Sequence, residues 1–358
     1  LTSAFQTVSG VVPARTPRDI LRNIKLVVAD RRATLIGTDQ EVGIRCQLPE
    51  VITDSTGESL LPTQRMSAIL RELQAEEVAL EAGEGCLWVR GGQSEFRLST
   101  EDPAEFPDVE PFTGENYHSV SGRSLRRLIQ RTLFATDVES TRYALGGILL
   151  DLKADRITLA ATDSRRLAVD WTTCSAEGSQ REEQGQPVLP SKAMSLIERS
   201  IRDEEDVRIH VRNNDALVQI GSTTVYTRLV EGRFPKYEDV IPREYRVTIE
   251  LLVAPFFAAV RQSMIITDDE SRGVDFTFAG GTLRLSSQAS NVGSSQIELP
   301  VSYDGPELVI TFDPRFVADF LKVLDPTSQI SLNLVDDNSA AVFKADENYT
   351  YVVMPLAR

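Results

Sequence analysis

The stretch Ile157–Trp171, "ITLAATDSRRLAVDW", decides how the rest of this chain is read. Apolar and polar residues alternate on both sides of Thr162-Asp163-Ser164, which describes two half-buried strands joined by a polar turn. The same outline recurs as "ATLIGTDQEVGIRCQLP" from Ala33 and "LRLSSQASNVGSSQIELP" from Leu283, so that Thr38, Thr162 and Ser287 stand about 125 residues apart. A second set follows in step: "LWVRGGQSEFRLSTEDPAEFP" from Leu87, "LVQIGSTTVYTRLVEGRFP" from Leu217 and "AVFKADENYTYVVMPLAR" from Ala341. The first two run on into proline-rich stretches, "EDPAEFPDVEP" (Glu101–Pro111) and "EGRFPKYEDVIP" (Glu231–Pro242). Proline removes a backbone donor and fixes φ, so both read as ordered loops with an aromatic anchor rather than helices or strands. The loop recurs because the domain recurs.

Between the strand groups the periodicity turns helical. In "GRSLRRLIQRTLF" (Gly122–Phe134), Leu125, Leu128, Ile129 and Leu133 make one apolar stripe, and Arg123, Arg127 and Arg131 recur four apart on what reads as the opposite, solvated face. "SKAMSLIERSIR" sets Met194, Ile197 and Ile201 against Lys192, Arg199 and Arg202. "TQRMSAILREL" sets Met66, Ile69, Leu70 and Leu73 against Gln64 and Arg71, and "DPRFVADFLKVL" sets Phe316, Phe320 and Leu324 against Arg315 and Lys322. "APFFAAVRQSM" carries Arg261 alone. Taken together these segments are net basic in a chain of formal charge −15. One such helix is an ordinary soluble helix. Four basic faces in an acidic protein predict a surface that draws a polyanion to one place and repels it elsewhere.

Other classes fall away. At 358 residues the chain exceeds one core, so two or three domains are expected. Cys46, Cys86 and Cys174 are far apart, and with His118 and His210 as the only histidines there is no zinc or disulfide framework, consistent with a reducing cytoplasm. The longest apolar run, Leu251–Val260, is half of the roughly 20 residues a membrane span needs. The opening "LTSAFQTVSG" lacks the pattern of a signal peptide, and a start at Leu1 suggests that the first natural residues are missing. No phosphate-binding glycine motif is present; "RGGQ" and "AGGT" read as hairpin turns. His210, in the alternating "VRIHVR", reads as structural. The enzymatic alternative is an acidic-dyad, metal-dependent hydrolase built on "DEED" (Asp203–Asp206) and "DDE" (Asp268–Glu270), both of which read better as solvated turns.

With the repeat, helices and loops in hand, the chain resembles the bacterial sliding clamp, the β subunit of DNA polymerase III. The resemblance rests on "TRYALGGILLDL" from Thr141, "ATDSRRLAV" from Ala161, "LVEGRFPKYEDVIP" from Leu229 and the terminal "YVVMPLAR", and it covers essentially the whole chain. It implies an α+β fold of three tandem clamp domains, each with two helices and antiparallel sheet, at residues 1–114, 115–242 and 243–358. The first strand of domain one is absent and the chain starts inside the first helix. The family's head-to-tail homodimer is a closed ring with helices lining the hole. Twelve helices at roughly 9 to 10 Å between axes leave a hole of about 24 Å, enough for duplex DNA.

The resemblance further implies a non-catalytic processivity subunit that needs no cofactor or metal. Its partners are encircled double-stranded DNA, a second copy of itself, the clamp loader, the replicative polymerase and other proteins bound through short peptides, with no membrane. Arg15, Arg142 and Lys192 match DNA-facing positions and join Arg71, Arg123, Arg127, Arg131, Arg199, Arg202, Arg315 and Lys322. Leu145, Thr162, Ser164, Arg165, Arg166, Leu167, Pro235, Val240, Phe316, Val352, Val353, Met354, Pro355 and Leu356 match the walls of an apolar peptide cleft. Phe106 matches the domain-one side of the dimer interface, and Ile265 and Ile266 the domain-three side. Ser164-Arg165 stands where many members have Gly-His, Asp239 where some have Arg, and Leu356-Ala357-Arg358 where Met-Arg-Leu is common, departures that bear on partner preference.

Overall fold

The structure is a computed structural model that describes every residue except 49–50, 54, 138, 140–143, 179–185, 268–271, 290–291 and 357–358. Six α-helices stand among the described residues: α1 (Thr2–Ser9), α2 (Thr63–Glu72), α3 (Gly122–Thr132), α4 (Ser191–Ser200), α5 (Val253–Ser263) and α6 (Pro314–Lys322). They fall two to a repeat. The apolar stripes are the buried ones: Met66, Ile69 and Leu70 on α2, Leu125, Leu128 and Ile129 on α3, Met194 and Ile197 on α4, Phe316 and Phe320 on α6.

Four of the six helices begin directly off the end of a strand, and a fifth begins one residue beyond. Gly57–Pro62 runs into α2, Tyr117–Ser121 into α3, Val188–Pro190 into α4, Val247–Leu252 into α5 and, one residue on, Leu308–Phe312 into α6. At α6 the corner is made by Asp313, whose carboxylate accepts the Arg315 N–H at 3.0 Å with Pro314 in the first turn. At α3 it needs a glycine: a Cβ on Gly122 would lie 2.5 Å from the Arg202 carbonyl, and its N–H donates to Glu205 O at 2.9 Å.

The chain divides into two compact units. One is Leu1–Arg126, Lys153–Asp155 and Cys174–Val230; the other is Arg127–Leu152, Arg156–Thr173 and Glu231–Arg358. The middle repeat is thus shared between them, because each of its sheet halves continues into a neighbour. In the first unit Thr223–Arg228 of the middle repeat pairs antiparallel with Val42–Gln47 of the first, Val225 opposite Ile44. In the second unit Arg166–Thr173 pairs antiparallel with Thr350–Val353 of the third, Leu167 opposite Val352. Two smaller sheets end in open edges, Ser94–Ser99 in the first unit and Gly293–Pro300 in the second.

Hairpin chemistry follows the sequence. Gly280 and Gly281 both have positive φ, as a type I′ turn demands, between Val274–Ala279 and Thr282–Ala289. The third repeat closes over an aromatic core in which Phe276 meets Phe256 and Phe312 edge-on, and Phe320 stacks on Tyr351 with centroids 4.8 Å apart. No helix is long and apolar enough to cross a membrane among the described residues.

Candidate functional site

The turn at Thr162 is built by its own side chains. The Thr162 hydroxyl donates to Arg166 O at 2.6 Å and accepts the Ser164 N–H at 3.0 Å, while Asp163 Oδ1 accepts the N–H groups of Arg165 and Arg166, both at 3.0 Å. These four bonds hold Ser164 at φ +72° and present Ser164 and Arg165 to solvent. The second Asp163 oxygen takes Arg166 Nε at 3.0 Å, and Arg166 goes on to Asp319 at 2.6 Å and to Phe134 O at 2.7 Å. Its guanidinium lies 4.6 Å from the Phe316 ring centre. Burial disfavours that charge, but Tyr351, Asp319 and Asp163 outweigh it, so Arg166 is held protonated more firmly than a free arginine.

Beside this turn runs the C-terminal edge. Met354 N–H donates to Arg165 O at 2.9 Å, Leu356 N–H donates to Thr311 O at 2.8 Å, and the Tyr351 hydroxyl donates to Phe316 O at 2.9 Å. The structure therefore brings together Thr162, Ser164, Arg165, Arg166, Leu167, Phe316, Val352, Val353, Met354, Pro355 and Leu356. Val352, Val353 and Leu167 are buried supports; Met354 is the exposed apolar side chain. Leu145 is buried, Pro235 is half-buried and Val240 is 54% exposed, but no described contact ties these three to the turn. The sequence reading missed Asp319, which fixes Arg166 from a helix 153 residues away. A polar hollow of about 620 Å³ lined by Glu250, Ser331, Lys344, Asp346 and Glu347 lies apart from these residues.

The basic helix faces need correction. Arg15, Arg71, Arg123, Arg199 and Lys322 are exposed, with no carboxylate partner among the described residues. Arg202 is exposed opposite Glu205 at 3.8 Å, Lys192 pairs with Asp39, and Arg315 pairs with its own cap Asp313 at 2.6 Å. Arg131 is different: its side chain is 13% exposed, bonded to Asp170 at 3.1 Å and Asp346 at 2.8 Å, and laid over the Tyr349 ring at 4.8 Å. Arg127 reaches the same Asp170 at 3.5 Å. Asp170 is fully buried; desolvation raises its carboxyl pKa against the pull of Arg131 and Arg127. The physical reason is helical drift. A residue four further along a helix turns about 40° past its predecessor, so from Arg123 to Arg131 the row swings about 80° toward the apolar stripe. Arg142 lies outside the described residues.

The interface expectation for Phe106 is also overturned. Phe106 is 5% exposed, packed with Ile20, Leu21, Ile36, Leu60 and Val109 in the core of its own unit. A side chain already buried has no area left to give a partner. The aromatic that the first repeat exposes is Phe96, at 38%, on the open edge strand Ser94–Ser99. On the third repeat Ile265 is exposed and Ile266 half-buried. The hydrolase alternative finds no support: among the described residues no group of three His, Cys, Asp or Glu side chains could hold a metal, and Asp203 pairs with Arg126. Asp268–Glu270 lie outside the described residues.

Family models for the N-terminal, central and C-terminal domains of the DNA polymerase III beta subunit match residues 1–110, 119–236 and 238–357. The chain is 32% identical over 99% of its length to the beta sliding clamp of Pseudomonas putida, covering 97% of it, and 28% identical over the same share to that of Escherichia coli. It superposes with a TM-score of 0.92 and 30% identity on the sliding clamp of Pseudomonas aeruginosa bound to griselimycin, covering 100% of this chain and 97% of that one. Three clamp domains in series, each matched in order along the whole length, make this chain a member of the DNA polymerase III β subunit family, the sliding clamps.

Proposed function

We propose that two copies of this chain close head to tail into a ring that encircles duplex DNA in the cytoplasm. The ring tethers the replicative polymerase, the clamp loader and other replication and repair proteins through short apolar peptides. It confers processivity and catalyses nothing itself. The observation that carries the reading is the full-length family match, and three features of the molecule agree with it. Two helices fall within each of the proposed domains 1–114, 115–242 and 243–358, and α2, α3 and α4 carry the exposed arginines Arg71, Arg123 and Arg199, which have no carboxylate partner among the described residues. Among the described residues Ser94–Ser99 and Gly293–Pro300 each keep one unpaired edge that could pair between copies, with exposed Phe96 on the first and exposed Ile265 just past α5, the helix that packs on the second. The exposed Met354 and half-buried Leu356, on the chain end bonded to Arg165 and Thr311, offer an apolar seat of the kind short peptides fill. A relative of this family has been solved bound to griselimycin.

Light scattering tests the ring: a dimer of twice 39.7 kDa is expected. A strict monomer at micromolar concentration would remove it. Linear duplex should bind weakly, without sequence preference, and more weakly as salt rises. Arg123→Gln should flatten that salt slope by about one unit and leave thermal stability unchanged. Arg131→Gln should instead lower thermal stability, because it removes the nearer cation from buried Asp170 and leaves only Arg127 at 3.5 Å.

A further inference from the structure

We infer that Arg165 is a cationic selector on the peptide seat, giving it a preference for peptides that carry a carboxylate beside their apolar anchors. The inference rests on the peptide-docking reading above and adds to it the chemistry of the partner.

The backbone of Arg165 is fixed at both ends. Its N–H donates to Asp163 Oδ1 at 3.0 Å, its carbonyl accepts Met354 N–H at 2.9 Å, and Ser164 before it is locked at φ +72°. The exposed side chain lies over Phe316, its guanidinium carbon 5.4 Å from the ring centre. Among the described residues no hydrogen bond or ion pair engages the guanidinium N–H donors, which are the groups that grip carboxylates in a two-bond fork.

The acids that could have quenched this charge are already engaged. Asp163 gives one oxygen to backbone N–H groups and the other to Arg166, and Asp319 takes Arg166 Nη1 at 2.6 Å. Among the described residues Arg165 has no carboxylate partner. An unquenched guanidinium on a backbone bonded to that of exposed Met354 is therefore complementary to an acidic residue flanking an apolar anchor. Duplex DNA is the other polyanion it could meet. The peptide is favoured because Arg165 shares its hydrogen bonds and its ring contact with the apolar seat.

Fluorescein-labelled ten-residue peptides with two leucines and one phenylalanine provide the test, with one glutamate placed in turn at each other position beside its glutamine twin. Anisotropy with the full chain at about 0.05 M salt should show, for at least one position, the glutamate peptide binding about fivefold tighter. The gap should close at 1 M salt, where screening acts within about 3 Å. Arg165→Gln should make the twins equal, and Arg165→Lys should keep part of the preference. A glutamate preference that survives Arg165→Gln overturns the assignment. Peptides that bind with no glutamate preference anywhere overturn the selector but leave the docking reading standing, whereas no binding by any peptide removes both. If Arg165→Gln weakens duplex DNA binding as much as Arg123→Gln and leaves the peptide preference intact, Arg165 belongs to the DNA surface instead.

Discussion

The first and second repeats build the same turn and put it to different use. Thr38 donates to Val42 O at 2.9 Å and accepts Gln40 N–H at 2.9 Å, while Asp39 accepts the N–H groups of Glu41 and Val42. Thr162 and Asp163 repeat every one of these bonds, and Gln40 and Ser164 share the positive φ. The divergence lies just past the turn. In the first repeat Val42 enters the core, and Gly43 after it lets the loop's Val109 lie on the strand, so close that a Cβ on Gly43 would meet Val109 at 2.7 Å. In the second repeat those two places hold Arg166 and Leu167. Both turns expose the residue just before these, Glu41 and Arg165, but the second loop carries on to an exposed Val240. One duplicated backbone device thus packs its outgoing strand against its own loop in one copy, and in the other braces Arg166 between Asp163 and Asp319.

The largest effects should come where the copies are alike. Phe106 and Phe234 are both buried anchors of their loops, 5% and 3% exposed. Truncating either to Ala should cost about 3 to 5 kcal/mol of unfolding free energy, read by urea titration. If Phe106→Ala instead reduced the dimer mass while leaving the urea midpoint in place, the two loops would not share an anchor.

Next come the two aspartates. Asp163→Asn keeps the turn's acceptor but removes the charge from a nearly buried pair with Arg166, and should cost about 1.5 to 3 kcal/mol. Asp39→Asn breaks only the more exposed pair with Lys192, which should cost about 1 kcal/mol or less. Equal losses would mean that Arg166 is not the brace described here.

Gly43→Val should cost about 1 to 3 kcal/mol by overpacking against Val109. Val109→Ala in the same chain should recover part of that loss, since the two side chains would then no longer collide. Strict additivity in the double mutant would show that Val109 does not depend on Gly43 for its seat.

These contrasts also mark what the sequence could tell. The repeat, the strand pairs and the buried helix stripes were legible, because period and turn chemistry are local properties. Even the Thr-Asp turn could be read from its two letters. The partners of Arg166 and Arg131 were not, since Asp319 and Asp346 arrive from another repeat. The row of arginines on α3 looked uniform four residues at a time, and only the drift of the helix shows that Arg123 and Arg131 face different surroundings. Phe96 and Phe106 lie ten residues apart in one stretch, and nothing local says which ends on an open edge and which in a core.

The smallest change in stability should come at Val240, and it sharpens the contrast most directly. Val109 and Val240 each follow the Phe-Pro pair of their loops, yet one is 2% exposed and the other 54%. In the second loop the residue three after the phenylalanine is Tyr237, which packs edge-on against Phe234 and supplies the buried contact that Val109 supplies in the first. Val240 is thereby released from any structural duty. Val240→Ser should therefore move the urea midpoint by less than about 0.5 kcal/mol equivalent, while Val109→Ser should cost several times that because it buries a hydroxyl among apolar neighbours. If Val240 forms part of the peptide seat, its substitution should still weaken the apolar peptides measurably. Unchanged peptide affinity would confine the seat to the turn, Phe316 and the chain end. A loss of stability matching that of Val109→Ser would show that the second loop is sealed like the first.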